Sequence, residues 1–486
     1  MPPTQYEVAN FIAGAQRAPA SGEYRPIVAP ATGEQMGRMA WSGASDVEAA
    51  CDAAARAAGA WASLGMPERR RLLEAWGAAL REQAAAIAMA DAIDTGTPIS
   101  AMRGGIGKGL DYLHYFAGLW SEVKGDTIPA TGSNLHYTVR EPFGAVGIII
   151  PFNHPAMFAL SKAAPALIAG NCVVLKPSEL TPVSASLIAN ASVGLLPPGV
   201  FNVVHGGPDV GQAMVRSSRL RRLHFTGGVS TGLAVQRGAA DSGLVKHVSL
   251  ELGGKNPLIV FPDVKPSLAA QAAVVGMNYT RNQGQSCGST SRLFVHSDIA
   301  QEVSDEICAI VSRIRVGLPE DNETEMGSLI SGAHQQRVLA AVAEGRRDGA
   351  RLLTGGTAAS GDLEKGAYVL PTVLDRVGAG TALATREIFG PVLSIIEWND
   401  KAEMLKQVNG TDYGLAAAVY TNDLVDAMTM ARDLEAGYVW INGVETRWPG
   451  TPFGGYKNSG SGSEHSLEEI LSYTRVKAVN LVLPSA

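Results

Sequence analysis

Apolar and polar positions follow three rhythms along this chain. Over residues 46–90 they recur at helical spacing, with "SDVE" as a capping start and "MPERRRLLEAWGAALREQAAAIAMA" as a long amphipathic run. Residues 111–123 predict another helix, with aromatics on one face. "LHYTVREPFG" then alternates residue by residue, the period of an exposed strand. From Gly144 onward short, nearly continuous apolar runs take over. "GAVGIIIPFN" predicts a buried strand ending in a Pro-Asn turn, and "MFALSKAAPALIAG" a helix closed by Gly170. "CVVLKPSE" predicts a second buried strand and "VSASLIANASVGL" a second helix. "FNVVHGG" and "RLHFTGG" each read as a strand running into a glycine turn. Buried strands alternating with helices predict a parallel, doubly wound α/β sheet. After Glu251 a second series begins with "NPLIVF" and "SRLFVH", passes through a helix at 301–315 and ends in "GPVLSIIEW" and "GYVWIN". It predicts a second α/β domain.

Composition narrows the classes of function. Of 486 residues, 46% are apolar and 18% charged, which suits large buried cores and not a disordered chain. At roughly 150 residues per domain, such a length holds about two to four domains. The net charge of -6 disfavours nucleic acid and anionic membrane surfaces as partners. No run reaches the roughly 20 apolar residues of a membrane helix. "MPPTQYEVANFIAG" lacks the basic-then-apolar order of a secretory signal, so a cytoplasmic protein is expected. The four cysteines stand far apart with no CxxC pair, so neither a metal site nor a disulfide framework is expected.

Three of those cysteines read as small core residues. Cys51 and Cys308 sit on helical patterns, and Cys172 opens an apolar strand. Cys287 differs. In "TRNQGQSCGSTSR" its neighbours are Gly284, Gln285, Ser286, Gly288 and Ser289, with no apolar stripe around it. Small residues let a substrate approach the sulfur, and backbone N–H groups there can hold a developing oxyanion. No histidine is near in sequence to act as its base. "SLELGGKNP" offers Glu251 instead, either an ordinary strand-end carboxylate or a general base for a thiol or a water. Asn153, in "PFNHP", ends a buried parallel strand, where such sheets place ligand-contacting groups. It suits an Asx-turn or a side-chain donor to an oxyanion. Lys176 and Glu179 end the next strand, where a carboxylate can accept bonds from two ribose hydroxyls. "HFTGGVSTG" follows another strand and can start a helix facing a diphosphate, although the GxGxxG fingerprint is absent.

Taken together, seven segments resemble the aldehyde dehydrogenase superfamily, NAD(P)-dependent and non-phosphorylating, in that family's order and over nearly the whole chain. "PFNHP" is similar to its oxyanion-asparagine segment, "GNCVVLKPSELTP" to its ribose-binding strand and "HFTGGVSTG" to its diphosphate turn. "LELGGKNP" is similar to its general-base segment and "NQGQSCGSTSR" to its nucleophile loop. "REIFGPVLSI" resembles the segment at the nicotinamide ribose, and "TPFGGYKNSGSGSE" the late signature. The resemblance implies that Cys287 attacks an aldehyde, that Asn153 and the Cys287 N–H hold the oxyanion, and that Glu251 activates the water that hydrolyses a thioester. It assigns Phe152, Lys176, Glu179, Thr226, Gly227, Gly228, Gly232, Leu252, Glu387 and Phe389 to the cofactor. Glu179 favours NAD over NADP, since a 2′-phosphate beside it would be repelled.

The resemblance also implies a Rossmann-like cofactor domain (1–122 and 143–252), a catalytic domain (253–453) and a small β bridging or oligomerisation element (123–142 and 468–486). The apolar terminal strand "KAVNLVLP" fits pairing with another subunit, so a homodimer or homotetramer is expected. Three positions depart from the common pattern: Gly228 replaces a frequent serine, Ser463 a common arginine and Phe152 a frequent tryptophan.

The substrate is left between an aromatic aldehyde and a semialdehyde. Arg281, six residues before Cys287, matches a carboxylate-binding arginine of the succinic semialdehyde branch, and a structural salt bridge is its other reading. The second arginine of that clamp is replaced by Ser161. Met157, Ser286 and Phe453 are further substrate candidates, and Trp120, Phe158 and Trp448 extend a possible aromatic pocket. Arg447 reads as a solvated loop charge or as a partner for an acid at the pocket mouth. Two alternatives to hydrolytic oxidation stay open, a CoA-acylating aldehyde dehydrogenase and a non-catalytic binding protein on the same fold.

Overall fold

Five parallel strands form the centre of an eight-stranded sheet in the computed structural model, which describes residues 6–482. Across the sheet they run Phe201–Val203, Cys172–Lys176, Ala145–Ile149, Arg222–Thr226, His247–Glu251. Counted along the chain that order is 3-2-1-4-5, so the winding reverses between Ala145–Ile149 and Arg222–Thr226. A doubly wound sheet opens a ligand crevice at such a reversal, beyond the carboxyl ends of its strands. Asn153 follows the first of those two strands, and Thr226 ends the second. The Pro155–Ile168 crossover helix has Pro155 in its first turn and ends before Gly170, whose φ of +99° suits glycine. It is buried almost all round because the sheet lies on one side and the Ile99–Gly118 helix on the other. The two helices touch closely at Gly109, where a Cβ would come within 3.1 Å of the Met157 Cα.

Three antiparallel strands complete the sheet. Asn10–Ile12 and Ala15–Arg17 close one edge, and Gly460–Ser461 closes the other by pairing with His247–Glu251. The chain thus returns late to the first sheet.

The second sheet has seven strands, in the order Arg351–Thr354, Thr372–Asp375, Val392–Trp398, Arg292–His296, Pro257–Val260, Ala416–Tyr420, Tyr438–Ile441. All pairs are parallel except the first. Only five residues separate Glu251, on the first sheet, from Pro257, on the second. A third sheet pairs Thr474–Val482 with Asn134–Pro142 in antiparallel register from Thr474–Pro142 to Val482–Asn134, and Thr127–Ile128 adds its edge. Val476, Leu481 and Val482 of that sheet are exposed. Leu483 and Pro484 of the expected terminal strand lie outside the described residues, as do residues 1–5 and 485–486.

Several expectations needed correction. The helix expected over 111–123 begins at Ile99 and ends at Gly118, with a 3-10 turn at Leu119–Glu122. Gly104, Gly105 and Gly107 obscured its first half, and packing against the neighbouring helices outweighs their low propensity. The long run after Met66 is two helices, Gly65–Glu82 and Ala84–Thr95, interrupted at Gln83. The helix expected over 301–315 spans Ala300–Val311. Ala416–Tyr420 was not foreseen because its alanines carry little strand signal. Among the described residues, no helix is long and apolar enough to cross a membrane.

Candidate active site

Two large cavities run along the carboxyl ends of the first sheet. One, of about 590 Å³, is walled by Lys176, Glu179 and the length of the Val229–Asp241 helix. The other, of about 710 Å³, reaches Asn153, Glu251, Leu252, Cys287, Glu387 and Phe389. They share Phe152, Thr226, Gly227 and Gly228 as a common wall. A third, small cavity lies beyond Cys287 and is lined by Met157, Arg281, Ser286 and Phe453 among others. Asn153, Phe158, Glu251 and Cys287 face both the small cavity and the 710 Å³ one. Residues from three distant parts of the chain therefore meet on one partition.

The loop bearing Cys287 is pinned from several sides. Asn256 Nδ2 donates to the Cys287 carbonyl at 2.7 Å and to the Ser289 carbonyl at 3.0 Å. Asn153 Nδ2 donates to the Gln285 carbonyl at 2.8 Å, and Asn282 Nδ2 to the same oxygen at 2.9 Å. Asn153 thereby has one amide hydrogen tied to the loop and keeps the second. Asn278 and Gln283 adopt left-handed φ of +61° and +58°, which turns the chain sharply before the cysteine. Gly254 lets the strand connection approach, because a Cβ there would lie 2.7 Å from the Cys287 carbonyl oxygen. At Gly253 a Cβ would collide with the Glu387 carboxylate.

Burial sets the electrostatics. It pushes the Cys287 thiol up to about 12; Arg447 pulls it down, while Glu251, Glu387 and Glu464 push it further up. The Glu251 carboxyl is 3% exposed and Oε1 has no partner among the described residues. Burial raises it well above the usual carboxylate range, Glu464 adds to the rise, and Lys162 and Arg447 oppose it. Lys162 is itself fully buried, 2.5 Å from Glu464 and 3.8 Å from Glu469. The Glu387 carboxyl is pushed up to about 7 by burial, although it accepts the Gly254 N–H at 3.0 Å.

The groove residues carry the features a dinucleotide needs. Val229–Asp241 starts at Gly228 with no side-chain cap, so its first N–H groups are free for an anion. Nothing lies within 4 Å of a Cβ at Gly228. Gly232 lines neither of the two large cavities; it makes room for Leu252, whose side chain a Cβ at Gly232 would meet at 2.5 Å. Lys176 Nζ is 3.4 Å from the half-exposed Glu179 carboxylate and donates to the Pro177 carbonyl at 3.1 Å. Phe152 and Phe389 meet edge to face at 5.8 Å, and Phe389 takes a left-handed φ of +58°.

The substrate candidates separate. Ser161 is fully buried inside the Pro155–Ile168 helix and reaches no cavity wall. Trp448 is 66% exposed and lines none of these cavities, nor does Trp120. Arg281 borders the small cavity but is 3.4 Å from Glu445, the structural ion pair that was its other reading. Arg447 is no solvated loop charge: its guanidinium lies 4.0 Å over the Phe453 ring and its Nε is buried. The same cavity is lined by Lys108, Tyr112, His154 and His465, none of which was foreseen. Only His154, inside "PFNHP", carried a local signal, by adjoining Asn153.

Comparisons with known proteins agree with this geometry. The model of the aldehyde dehydrogenase family matches residues 17–479. The chain is 40% identical over 484 residues to aldehyde dehydrogenase tropH of Talaromyces stipitatus, covering 98% of this chain and 93% of that one. It is 39% identical over 477 residues to a betaine aldehyde dehydrogenase of Cereibacter sphaeroides, covering 98% and 97%. The NAD+ complex of an aldehyde dehydrogenase from Bacillus cereus superposes with a TM-score of 0.95 at 35% identity, over 99% of this chain and 97% of that one.

Proposed function

Since this chain belongs to the aldehyde dehydrogenase family and is an NAD-dependent enzyme of it, we propose that it oxidises its aldehyde through a covalent intermediate on Cys287. The observation that carries this reading is the shared partition: Cys287, Glu251 and Asn153 all face both the cofactor-side cavity and the small one. An aldehyde entering from the small cavity meets the sulfur from the side opposite the groove.

Cys287 loses its proton either directly to water or to Glu251, which releases it to solvent before hydrolysis, and the thiolate attacks the carbonyl carbon. The free amide hydrogen of Asn153 and the Cys287 N–H hold the resulting oxyanion. NAD+, when bound, would supply the acceptor for the hydride that leaves that carbon. Glu251 then takes a proton from a water that attacks the Cys287 thioester, releasing the carboxylic acid. Burial raises the Glu251 carboxyl well above the usual carboxylate range, which makes its carboxylate form a stronger base toward that water.

The cofactor fits the groove on this structure's own features. Lys176 and Glu179 would hold the adenosine ribose, the uncapped start of Val229–Asp241 would take the diphosphate, and Glu387 and Phe389 would flank the nicotinamide end. Glu179 disfavours a 2′-phosphate. The exposed apolar residues of the Thr474–Val482 strand support a homodimer or homotetramer. The test is an acid quench of enzyme, NAD+ and an aldehyde panel followed by peptide mass spectrometry. An acyl adduct on the Cys287 peptide is expected; NADH production with no adduct in wild type or in Glu251→Gln would defeat the covalent route.

A further inference from the structure

The small cavity beyond Cys287 has a charge balance that aldehyde chemistry alone does not require. Three cations border it: Lys108 from the Ile99–Gly118 helix, Arg281 from the turn before the cysteine, and Arg447 from the chain after Tyr438–Ile441. Three carboxylates border it as well, and each is accounted for. Glu445 accepts from Asn278 Nδ2 at 2.6 Å and pairs with Arg281 at 3.4 Å. Glu464 is held by Lys162 at 2.5 Å. Glu251 is the buried, raised carboxyl of the reaction site. Lys108 and Arg447 are left over. Arg447 Nε is buried without a partner, and no side chain among the described residues hydrogen-bonds Lys108, whose ammonium burial pushes down to about 8, with Arg281 and Arg447 adding to the push.

Neutral donors face the same space. His154 Nε2 lies 3.1 Å from Asn282 Nδ2, so that nitrogen accepts and the ring proton sits on Nδ1. Burial lowers the ring to about 3 and keeps it neutral. His154 Nδ1 and the Tyr112 hydroxyl are both buried with no partner. Buried donors without partners are costly, and an oxyanion supplied by a ligand satisfies them.

We propose that this cavity is an anion subsite, and that the substrate is an aldehyde whose far end carries a carboxylate, held by Arg447 and Lys108. The assignment rests on the dehydrogenase reading above and names the substrate class for that site. It moves the carboxylate contact from Arg281, which Glu445 neutralises, to the two unpaired cations. The free space is only about 30 Å³, so a bound tail displaces the long Arg447 and Lys108 side chains, whereas the Tyr112, Phe158 and Phe453 rings are fixed by packing. A quaternary ammonium tail, such as that of betaine aldehyde, would meet like charge here.

The test uses the full-length enzyme with NAD+ and matched aldehydes: 4-carboxybenzaldehyde against 4-methylbenzaldehyde, succinic semialdehyde against pentanal, and betaine aldehyde as the cationic probe. The carboxylated member of at least one pair should have the higher kcat/KM by roughly tenfold or more, chiefly through KM. Arg447→Met and Lys108→Met should each lower that anionic-to-neutral ratio, with the neutral aldehyde as the internal control for folding, and Arg447→Lys should restore part of it. Ratios near one in wild type, ratios unchanged in both variants, or a preference for betaine aldehyde would overturn the subsite while leaving the dehydrogenase intact. No NADH from any aldehyde would sink the dehydrogenase reading and the subsite with it.

Discussion

Asn256 holds Cys287 by its own backbone: the amide Nδ2 donates to the Cys287 carbonyl at 2.7 Å, while Asn256 Oδ1 accepts the Ala416 N–H at 3.0 Å. One buried side chain thus ties the cysteine loop to a strand of the second sheet. Asn256→Ala strands those backbone groups, at about 1–3 kcal/mol for each buried group left unsatisfied. The expected result is a lower melting temperature and a kcat reduced about tenfold or more, with NAD+ affinity nearly unchanged. Thermal unfolding, steady-state kinetics and calorimetric NAD+ titration check the three parts.

The thiol of Cys287, pushed up to about 12, predicts a pH profile. The attacking form is the thiolate. A raised thiol pKa makes it a minor species below that value, and its share grows about tenfold per pH unit. The value of kcat/KM should therefore rise with pH between about 6 and 9. A profile flat over that range would show that bound NAD+ or substrate brings the thiol far down. Cys287→Ala should abolish dehydrogenase activity and leave NAD+ binding in place; turnover within a few-fold of wild type would contradict the assignment.

Glu251 has a separable role. Replacing it with glutamine keeps the side-chain shape and removes the base, so deacylation should slow by about a hundredfold or more. Rapid-quench experiments should then show a burst of NADH followed by a slow steady state. A rate equal to wild type without trapped acyl-enzyme would remove Glu251 from hydrolysis.

Glu179 sets the cofactor preference in the proposed mode. Glu179→Ala should lower kcat/KM with NAD+ and narrow the gap to NADP+, because Lys176, 3.4 Å away, is released to meet a 2′-phosphate. Measuring kcat/KM for both cofactors reads this directly; an unchanged ratio would mean that Glu179 does not face the ribose.

Asn153, Glu251 and Cys287 could be singled out from the linear chain because each stands where local pattern changes. Asn153 follows a buried apolar strand, Glu251 ends a partly buried one just before two glycines, and Cys287 lies among small polar residues. Strand–helix alternation is a short-range signal, and it carried the parallel winding of the first sheet and the existence of a second α/β series after Glu251. Asn256 lay inside the quoted "LELGGKNP" segment, yet its hydrogen bond to a residue 31 positions away has no local signature.

What the linear chain withheld depends on contacts between distant segments. Arg281 could be read from sequence as a substrate contact or as a salt bridge, and the fold gives it Glu445, 164 residues later. Ser161 looked available on its helix, and the helix turns it inward. Lys108, His154 and Arg447 come from a helix, the N-cap of another helix and a late loop, and no periodicity links them. They converge because the first sheet, its covering helices and the second sheet close around Cys287. Local spacing therefore carried the winding of the first sheet and the candidate reactive residues, whereas the charge of the cavity beside them follows from long-range packing.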